Sequence, residues 1–291
     1  MPGVEEFRAK KPTSTVLING YFGDGKTHAA MTYPKGYVVC CDPSGLDILY
    51  RKGNERLLNN LVHYEYLRNA NEEELKKVFL ESAKAEDRFS IYGCLRHAES
   101  LAKEGLIETM VLDGFTYFVD MKWQYINEYE VQKSASTGNL DSQAMYRNLG
   151  LYLQRFVASD LLTMATRYNL NVVATCHLKR EAKDAVQGSD KTPNRSRKVS
   201  LESDISPMIE GGFRSKIEGL FGASIYLDTK LDASGKQTKL AYCDTTFAYG
   251  TVVRAKNRYG LPAKLDITGK EFYAELMKNI NQVNVTQNKV A

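Results

Sequence analysis

Short apolar runs alternate with amphipathic stretches over most of the chain. Runs rich in β-branched and aromatic residues are typical of buried strands, and they fall at residues 16–18, 37–41, 61–66, 109–113 and 171–177. Stretches between them place apolar residues three and four positions apart, which predicts helices, and one helix begins after Asn71, a common capping residue. Strands that alternate with helices indicate an α/β fold, with a mostly parallel central sheet flanked by helices.

The last part of the chain follows a different pattern. Residues 223–227, 239–243 and 251–255 alternate apolar and polar side chains, and residues 232–235 supply a hairpin turn. This pattern predicts a C-terminal antiparallel extension of the sheet. A final helix is expected at about residues 269–279.

The composition of the 291 residues, 43% hydrophobic and 25% charged, is that of an ordinary soluble protein. We expect a polar leader at residues 1–12, a single domain at residues 13–268, and a C-terminal helix and polar tail at residues 269–291. The five cysteines lack metal-ligand spacing, which favours buried free thiols in a reducing compartment. No apolar run approaches membrane-spanning length, and the first residues do not resemble a signal peptide. These features predict a cytoplasmic protein with no membrane partner.

One glycine-rich segment has the spacing of a phosphate-binding loop. It reads Gly-x-x-x-x-Gly-Lys-Thr, with an apolar run before it and small helix-forming residues after it. The glycines let successive backbone N–H groups point at an anion, and the start of a helix adds the positive end of its dipole. An accidental match in a glycine-rich turn would not need that strand and helix. The predicted nucleotide-binding residues are Gly20, Gly23, Asp24, Gly25, Lys26, Thr27 and His28.

A loop of this kind requires a magnesium site beside it. Lys26 is expected to reach the β- and γ-phosphates, and the Thr27 hydroxyl to ligate Mg²⁺. A neighbouring strand must supply an aspartate, and Asp113 is the candidate, with a plain turn aspartate as the alternative. His177 ends another apolar run. It is either a hydrogen-bonded residue at a strand end or a sensor of the γ-phosphate.

Positive charge is concentrated in one segment. The whole chain has a net charge of +4, and residues 178–200 carry the same excess, with seven basic against three acidic residues. The segment lacks apolar periodicity, which predicts a mobile loop. It is either a solvated linker or a loop that becomes ordered on a polyanion such as nucleic acid. Its basic residues are Lys179, Arg180, Lys183, Lys191, Arg195, Arg197 and Lys198.

Together these motifs resemble those of RecA-like P-loop ATPases, and in particular the phage-encoded RecA-type ATPases of the Sak single-strand annealing group. The resemblance covers roughly residues 13–265. It rests on the glycine-rich loop, on residues 111–113, on the strand that ends at His177, on residues 207–212, and above all on residues 255–260. By itself the last segment would only be the solvent face of an edge strand.

The resemblance implies a RecA-like core that uses ATP and Mg²⁺ and is stimulated by single-stranded DNA to promote annealing or strand exchange. It implies a hexameric ring or a filament, in which Lys256 and an arginine finger, Arg258, reach the γ-phosphate held by the adjacent subunit. The loop after His177 corresponds to the second DNA-binding loop, so its seven basic residues are the expected DNA contacts. A single-strand-binding protein is a further implied partner. The implied catalytic residues are Lys26, Asp113, His177, Lys256 and Arg258.

One position departs from the RecA-like pattern. Those enzymes usually place a catalytic glutamate two residues after the aspartate that ends the second strand, but here Asp42 is followed by Pro43 and Ser44. Because serine cannot act as that general base, Asp42, Asp47 or another carboxylate replaces it, or turnover is slow. Two alternatives to the DNA-stimulated ATPase remain open. They are a nucleotide-gated DNA-binding module that does not hydrolyse ATP, and a helicase or translocase motor with the same core.

Overall fold

Strands and helices alternate along the chain in a computed structural model, which describes residues 13–68, 71–130, 142–182, 203–209, 213–248, 251–253 and 255–290. The strands are β1 (Thr15–Gly20), β2 (Gly36–Cys40), β3 (Leu61–Tyr66), β4 (Thr109–Asp113), β5 (Asn171–Ala182), β6 (Ser203–Pro207), β7 (Ala223–Leu231), β8 (Gln237–Tyr242), β9 (Thr246–Ala248), β10 (Thr251–Val253), β11 (Lys256–Asn257) and β12 (Lys264–Asp266). The helices are α1 (Lys26–Met31), α2 (Glu55–Leu58), α3 (Glu72–Val78), α4 (Ile91–Lys103), α5 (Phe115–Tyr125), α6 (Ser142–Arg155), α7 (Leu162–Tyr168), α8 (Arg214–Leu220) and α9 (Phe272–Val290). A 3-10 helix spans Gly45–Tyr50, and π-helical turns span Ile126–Glu130 and Phe156–Leu161.

Parallel strands form the centre of the sheet, in the order β7-β1-β5-β4-β2-β3. Strands β8 and β12 continue the sheet beyond β7 in the antiparallel sense. Strand β11 pairs antiparallel with the start of β7, and β6 pairs antiparallel with the end of β5. The predicted α/β fold, with a mostly parallel sheet and a C-terminal antiparallel extension, is confirmed.

Alternate residues of β1 supply the cores on the two faces of the sheet. Leu17 belongs to one apolar cluster, while Val16 and Ile18 belong to the other, because successive side chains of a strand point to opposite faces. Helix α5 covers the first face through residues such as Phe118, and α9 covers the second through residues such as Leu276. The central strand that leads into the glycine-rich loop is therefore buried on both sides, as is typical of parallel sheets.

The fifth strand is longer than the sequence predicted. We expected it to end at His177 and a mobile loop to follow over residues 178–200, but β5 continues to Ala182 and pairs with β6. Leu178 and Ile205 are buried in one small apolar cluster that stabilises this antiparallel arm. This part of the strand was not predicted because basic residues are typical of a loop and because the partner strand, β6, is distant in the sequence. Residues 183–200 of the predicted loop lie outside the described residues.

The C-terminal helix is also longer than predicted. Instead of ending near residue 279, α9 runs from Phe272 to Val290. Gly269, with a φ of 66°, forms the turn before the helix, and no glycine or proline follows to end it. The residues predicted to form a polar tail therefore largely extend the helix.

Two predictions from composition concern cysteines and membranes. All five cysteines are buried and unpaired, as predicted. Within the part of the chain that the structure describes, no helix is long and apolar enough to cross a bilayer.

The N-cap prediction for α3 is confirmed, because the Asn71 side chain accepts a hydrogen bond from the Glu74 backbone N–H at 3.0 Å.

Candidate nucleotide-binding site

The glycine-rich loop connects β1 to α1 at the carboxyl end of the parallel strands. Strand β1 ends at Gly20, and α1 begins at Lys26. Gly25 has a φ of 83°, in the left-handed region where a side chain would be strained. A Cβ atom on Gly20 would lie 3.2 Å from Oδ2 of Asp24, so the loop closes tightly over this glycine. The predicted sequence of strand, loop and helix is present.

Two charged side chains hold the loop from inside. Oδ2 of Asp24 accepts a hydrogen bond from the Tyr21 backbone N–H at 2.6 Å. The Lys26 ammonium donates to the carbonyl oxygens of Gly20 and Tyr21, at 3.0 and 2.8 Å. Burial lowers the pKa of Lys26, and the nearby charge of Asp24 opposes that shift. Since a charged acceptor binds an ammonium more strongly than a neutral carbonyl does, a phosphate oxygen is a better partner for this lysine.

Asp113 meets the hydroxyl of Thr27 beside the loop. Oγ1 of Thr27 lies 3.1 Å from each carboxylate oxygen of Asp113, and Oγ1 of Thr175 donates to Oδ1 at 2.7 Å. Burial raises the pKa of Asp113, while the hydrogen bonds from Thr175 and Thr27 oppose this effect. A hydroxyl and a carboxylate are the oxygen ligands that Mg²⁺ prefers. The structure therefore brings together the two predicted metal-binding residues.

Thr175 positions Asp113, a role that no feature of the sequence predicted. Its hydroxyl accepts a hydrogen bond from the Gly114 backbone N–H at 2.8 Å and donates to Asp113. Thr175→Val removes both bonds without changing the shape of the side chain, and it leaves a buried N–H group unpaired. We expect the free energy of unfolding to fall by about 1–3 kcal/mol, measured by urea denaturation. Thr175→Ser keeps the hydroxyl and is the control, and a valine variant as stable as the wild type would contradict this role.

The loop after β2 approaches Asp113 but supplies no glutamate. Oδ1 of Asp42 accepts a hydrogen bond from the Ser44 backbone N–H at 3.1 Å. A Cβ atom on Gly45 would lie 2.7 Å from Oδ2 of Asp113, so only glycine allows the loop to pass here. Burial raises the pKa of Asp113, and the negative charge of Asp42 adds to the rise. The same Cβ position on Gly45 lies 3.1 Å from Cβ of Asp42, so Asp42 is a carboxylate close to the site.

His177 and Phe22 form a stacked pair at the loop. The register of β1 and β5 places His177 opposite Gly20, and the rings of His177 and Phe22 are 4.0 Å apart. Burial, with a contribution from the Lys26 charge, lowers the pKa of His177 to about 4, so the ring is neutral at pH 7. Phe22 is 75% exposed, and a single apolar residue in the loop gave no sequence signal. The role of His177 as a γ-phosphate sensor stays a prediction.

Lys256 and Arg258 lie away from the loop of their own chain. The pairing of β11 with β7 and of β7 with β1 places Lys256 level with Leu17, three residues before Gly20 and about 10 Å from it along the strand. The side chains of Lys256 and Arg258 both hydrogen-bond to the Gly219 carbonyl oxygen at the end of α8. The structure does not bring these two cations to the other site residues, and their action on an adjacent subunit stays a prediction.

The arm formed by β5 and β6 carries the first of the predicted DNA contacts. Lys179 is exposed, and Arg180 follows it in β5. The arm begins directly after His177, whose carbonyl oxygen accepts a hydrogen bond from the Met208 backbone N–H at 2.6 Å. The other predicted contacts lie outside the described residues: Lys183, Lys191, Arg195, Arg197 and Lys198.

The strand order, the glycine-rich loop and the pair formed by Thr27 and Asp113 define an α/β P-loop NTPase fold. The AAA_24 family, described as an AAA domain, matches residues 13–264, and the chain belongs to this family. It is therefore a nucleotide-binding P-loop ATPase. No curated protein matches the chain. Among solved structures, a KaiC-like protein of the hyperthermophilic archaeon Pyrococcus horikoshii OT3 is similar, with 12% identity, a TM-score of 0.38, and coverage of 82% of this chain and 88% of that chain.

Proposed function

We propose that the protein is a DNA-stimulated ATPase that binds single-stranded DNA and promotes annealing or strand exchange in phage recombination or replication. The observation that carries this proposal is the continuity of β5. The strand places His177 beside the phosphate-binding loop and continues into the arm that contains Lys179 and Arg180. A conformational change at the phosphate site would therefore be transmitted along β5 to the basic segment.

The residues present fit an ATP·Mg²⁺ complex. The positive φ angles of Gly23 and Gly25 give the loop the turn that lets its backbone N–H groups point at a phosphate, and Lys26 would bind the β- and γ-phosphates. Thr27 and Asp113 would hold the metal ion, since their oxygens already lie within 3.1 Å of one another. When bound, Mg²⁺ neutralises negative charge on the phosphates.

Hydrolysis further requires a group that orients the attacking water and cations that stabilise the developing charge. We assign the first task to Asp42, the carboxylate close to Asp113. With Ser44 at the usual glutamate position, we expect slow turnover without DNA. Lys256 and Arg258 of an adjacent subunit would supply the cations, so the active form is a ring or a filament.

The proposal predicts the way in which single-stranded DNA binds. Contacts of basic side chains with phosphates release counterions, so affinity falls steeply with salt and depends little on base sequence. Fluorescence anisotropy of a labelled oligonucleotide, with and without a slowly hydrolysed ATP analogue, measures both effects. We expect at least a tenfold loss of affinity, on the order of that for a few phosphate contacts, between about 50 and about 200 mM salt. An affinity that does not change with salt would contradict a role for the basic segment.

A second candidate function is a nucleotide-gated DNA-binding module that does not hydrolyse ATP. The observation that favours it is Ser44, which leaves the usual general base absent. DNA affinity that responds to ATP without any release of phosphate would support this alternative. The resemblance to phage annealing ATPases also supports two further proposals, namely action in the host cytoplasm and cooperation with a single-strand-binding protein.

A further inference from the structure

A second lysine lies beside the phosphate-binding loop, on the C-terminal extension of the sheet. Nζ of Lys239, in β8, lies 3.6 Å from the position that a Cβ atom on Gly25 would occupy. The backbone of Lys239 is fixed on both sides, because its N–H donates to Oγ1 of Thr268 at 2.9 Å and its carbonyl accepts from the Ile267 N–H at 3.0 Å. The lysine is therefore held next to the loop by the pairing of β8 with the segment after β12.

The same side of α1 carries His28. Gly25 and His28 are three residues apart, so they lie on one face at the start of the helix. Burial lowers the pKa of His28, and the positive charges of Lys239 and Arg56 lower it further. The charge of Lys239 therefore acts on His28 as well as on the loop. Asp113 approaches the loop from the other direction, because β4 and β8 lie on opposite sides of β1 in the sheet.

Positive charge is concentrated at this position. The backbone N–H groups of the loop already present positive partial charge, and Lys239 adds a full positive charge beside them. The charge of Arg56 is balanced by Glu271, whose Oε1 lies 3.3 Å from Nη1 of Arg56. Among the residues that the structure describes, Lys239 has no carboxylate within ion-pair distance. An unpaired cation held against an anion-binding loop is suited to bind the anion itself.

We propose that Lys239 binds the α- and β-phosphates of the nucleotide, from the side opposite to the magnesium site. The backbone of the loop cradles these two phosphates, and Gly25 is the part of the loop that Lys239 faces. The C-terminal antiparallel extension thereby becomes part of the nucleotide site. This inference rests on nucleotide binding at the loop, as in the proposed function, and it requires neither DNA nor hydrolysis.

Calorimetric titration of the DNA-free protein with ADP and with ATP, both with Mg²⁺, tests the inference. Lys239→Met keeps the length of the side chain without its charge, and we expect both dissociation constants to rise by similar factors of about ten or more. Lys239→Arg should recover part of the loss. Lys236→Ala, which removes an exposed lysine from the turn of the same hairpin, is the matched control and should bind as the wild type does.

Three outcomes would overturn the inference, and they have different meanings. If Lys239→Met binds both nucleotides with wild-type affinity while Lys26→Ala binds them poorly, the role of Lys239 is rejected and nucleotide binding at the loop is retained. A loss for ATP but not for ADP would place the lysine at the γ-phosphate and reject our assignment. A wild-type protein that binds neither nucleotide would overturn the proposed function together with this inference.

Discussion

Arg258→Ala should leave ATP binding unchanged but reduce DNA-stimulated phosphate release by about 1,000-fold, the effect of removing an arginine finger. Arg258 lies level with Thr15, at the start of β1, and interacts with the Gly219 carbonyl, so it does not support the loop of its own chain. If Arg258 acts on an adjacent subunit as proposed, its loss would affect only the phosphoryl group that this subunit holds. Phosphate release and calorimetric ATP binding, measured on the same preparation, separate these two effects.

Mixed oligomers test the action of Arg258 on a neighbour directly. A Lys26→Ala subunit provides an intact Arg258, and an Arg258→Ala subunit provides an intact loop, so mixing two inactive variants should restore part of the activity. Lys264→Ala removes an exposed cation from nearby β12 and is the charge control, with normal activity expected. If Arg258→Ala lost ATP binding as Lys26→Ala does, or if mixing restored no activity, the assignment in trans would be wrong.

Lys26→Ala should weaken ATP binding by about 100-fold or more, because it removes charge-assisted hydrogen bonds to two phosphates. The folded state should tolerate the change. Burial lowers the pKa of Lys26, which means that its charge is unfavourable in the free protein, although the Gly20 and Tyr21 carbonyl oxygens partly compensate. Calorimetric titration with ATP·Mg²⁺ measures the loss of binding, and thermal unfolding measures stability.

Lys52→Ala, which removes an exposed lysine from the turn before α2, changes the net charge equally and is the control for Lys26→Ala. It should bind ATP with wild-type affinity. A Lys26→Ala variant that unfolds at a much lower temperature would indicate that the lysine supports the loop rather than the ligand. Wild-type ATP affinity in that variant would exclude the loop as the phosphate site.

Local sequence signals were sufficient for the strand, loop and helix around Lys26. Their contacts are short-range, and glycine spacing and a β-branched run specify them directly. The end of β4 at Asp113 was likewise visible as an apolar run followed by a carboxylate. The extension of β5 beyond His177 was not visible, because its hydrogen bonds come from β6 and its basic side chains are typical of a loop.

Residues that join the site through strand order had no local signal. Thr175 holds Asp113 only because β5 lies next to β4, and Lys239 reaches the loop because β8 pairs with β7 and with the segment after β12. Phe22 reaches His177 because β1 and β5 are neighbours in register. Apolar runs and turns are visible in an amino-acid sequence, whereas the order of strands in a sheet is a property of the folded chain.

Phosphate release by the wild-type protein, with ATP and Mg²⁺, tests the central claim most directly. It should be measured with and without single-stranded DNA, at about 50 and about 200 mM salt. We predict slow release without DNA, strong stimulation by DNA at low salt, and a marked loss of that stimulation at the higher salt. ATP binding with no phosphate release under any of these conditions would contradict the account and favour the nucleotide-gated DNA-binding module.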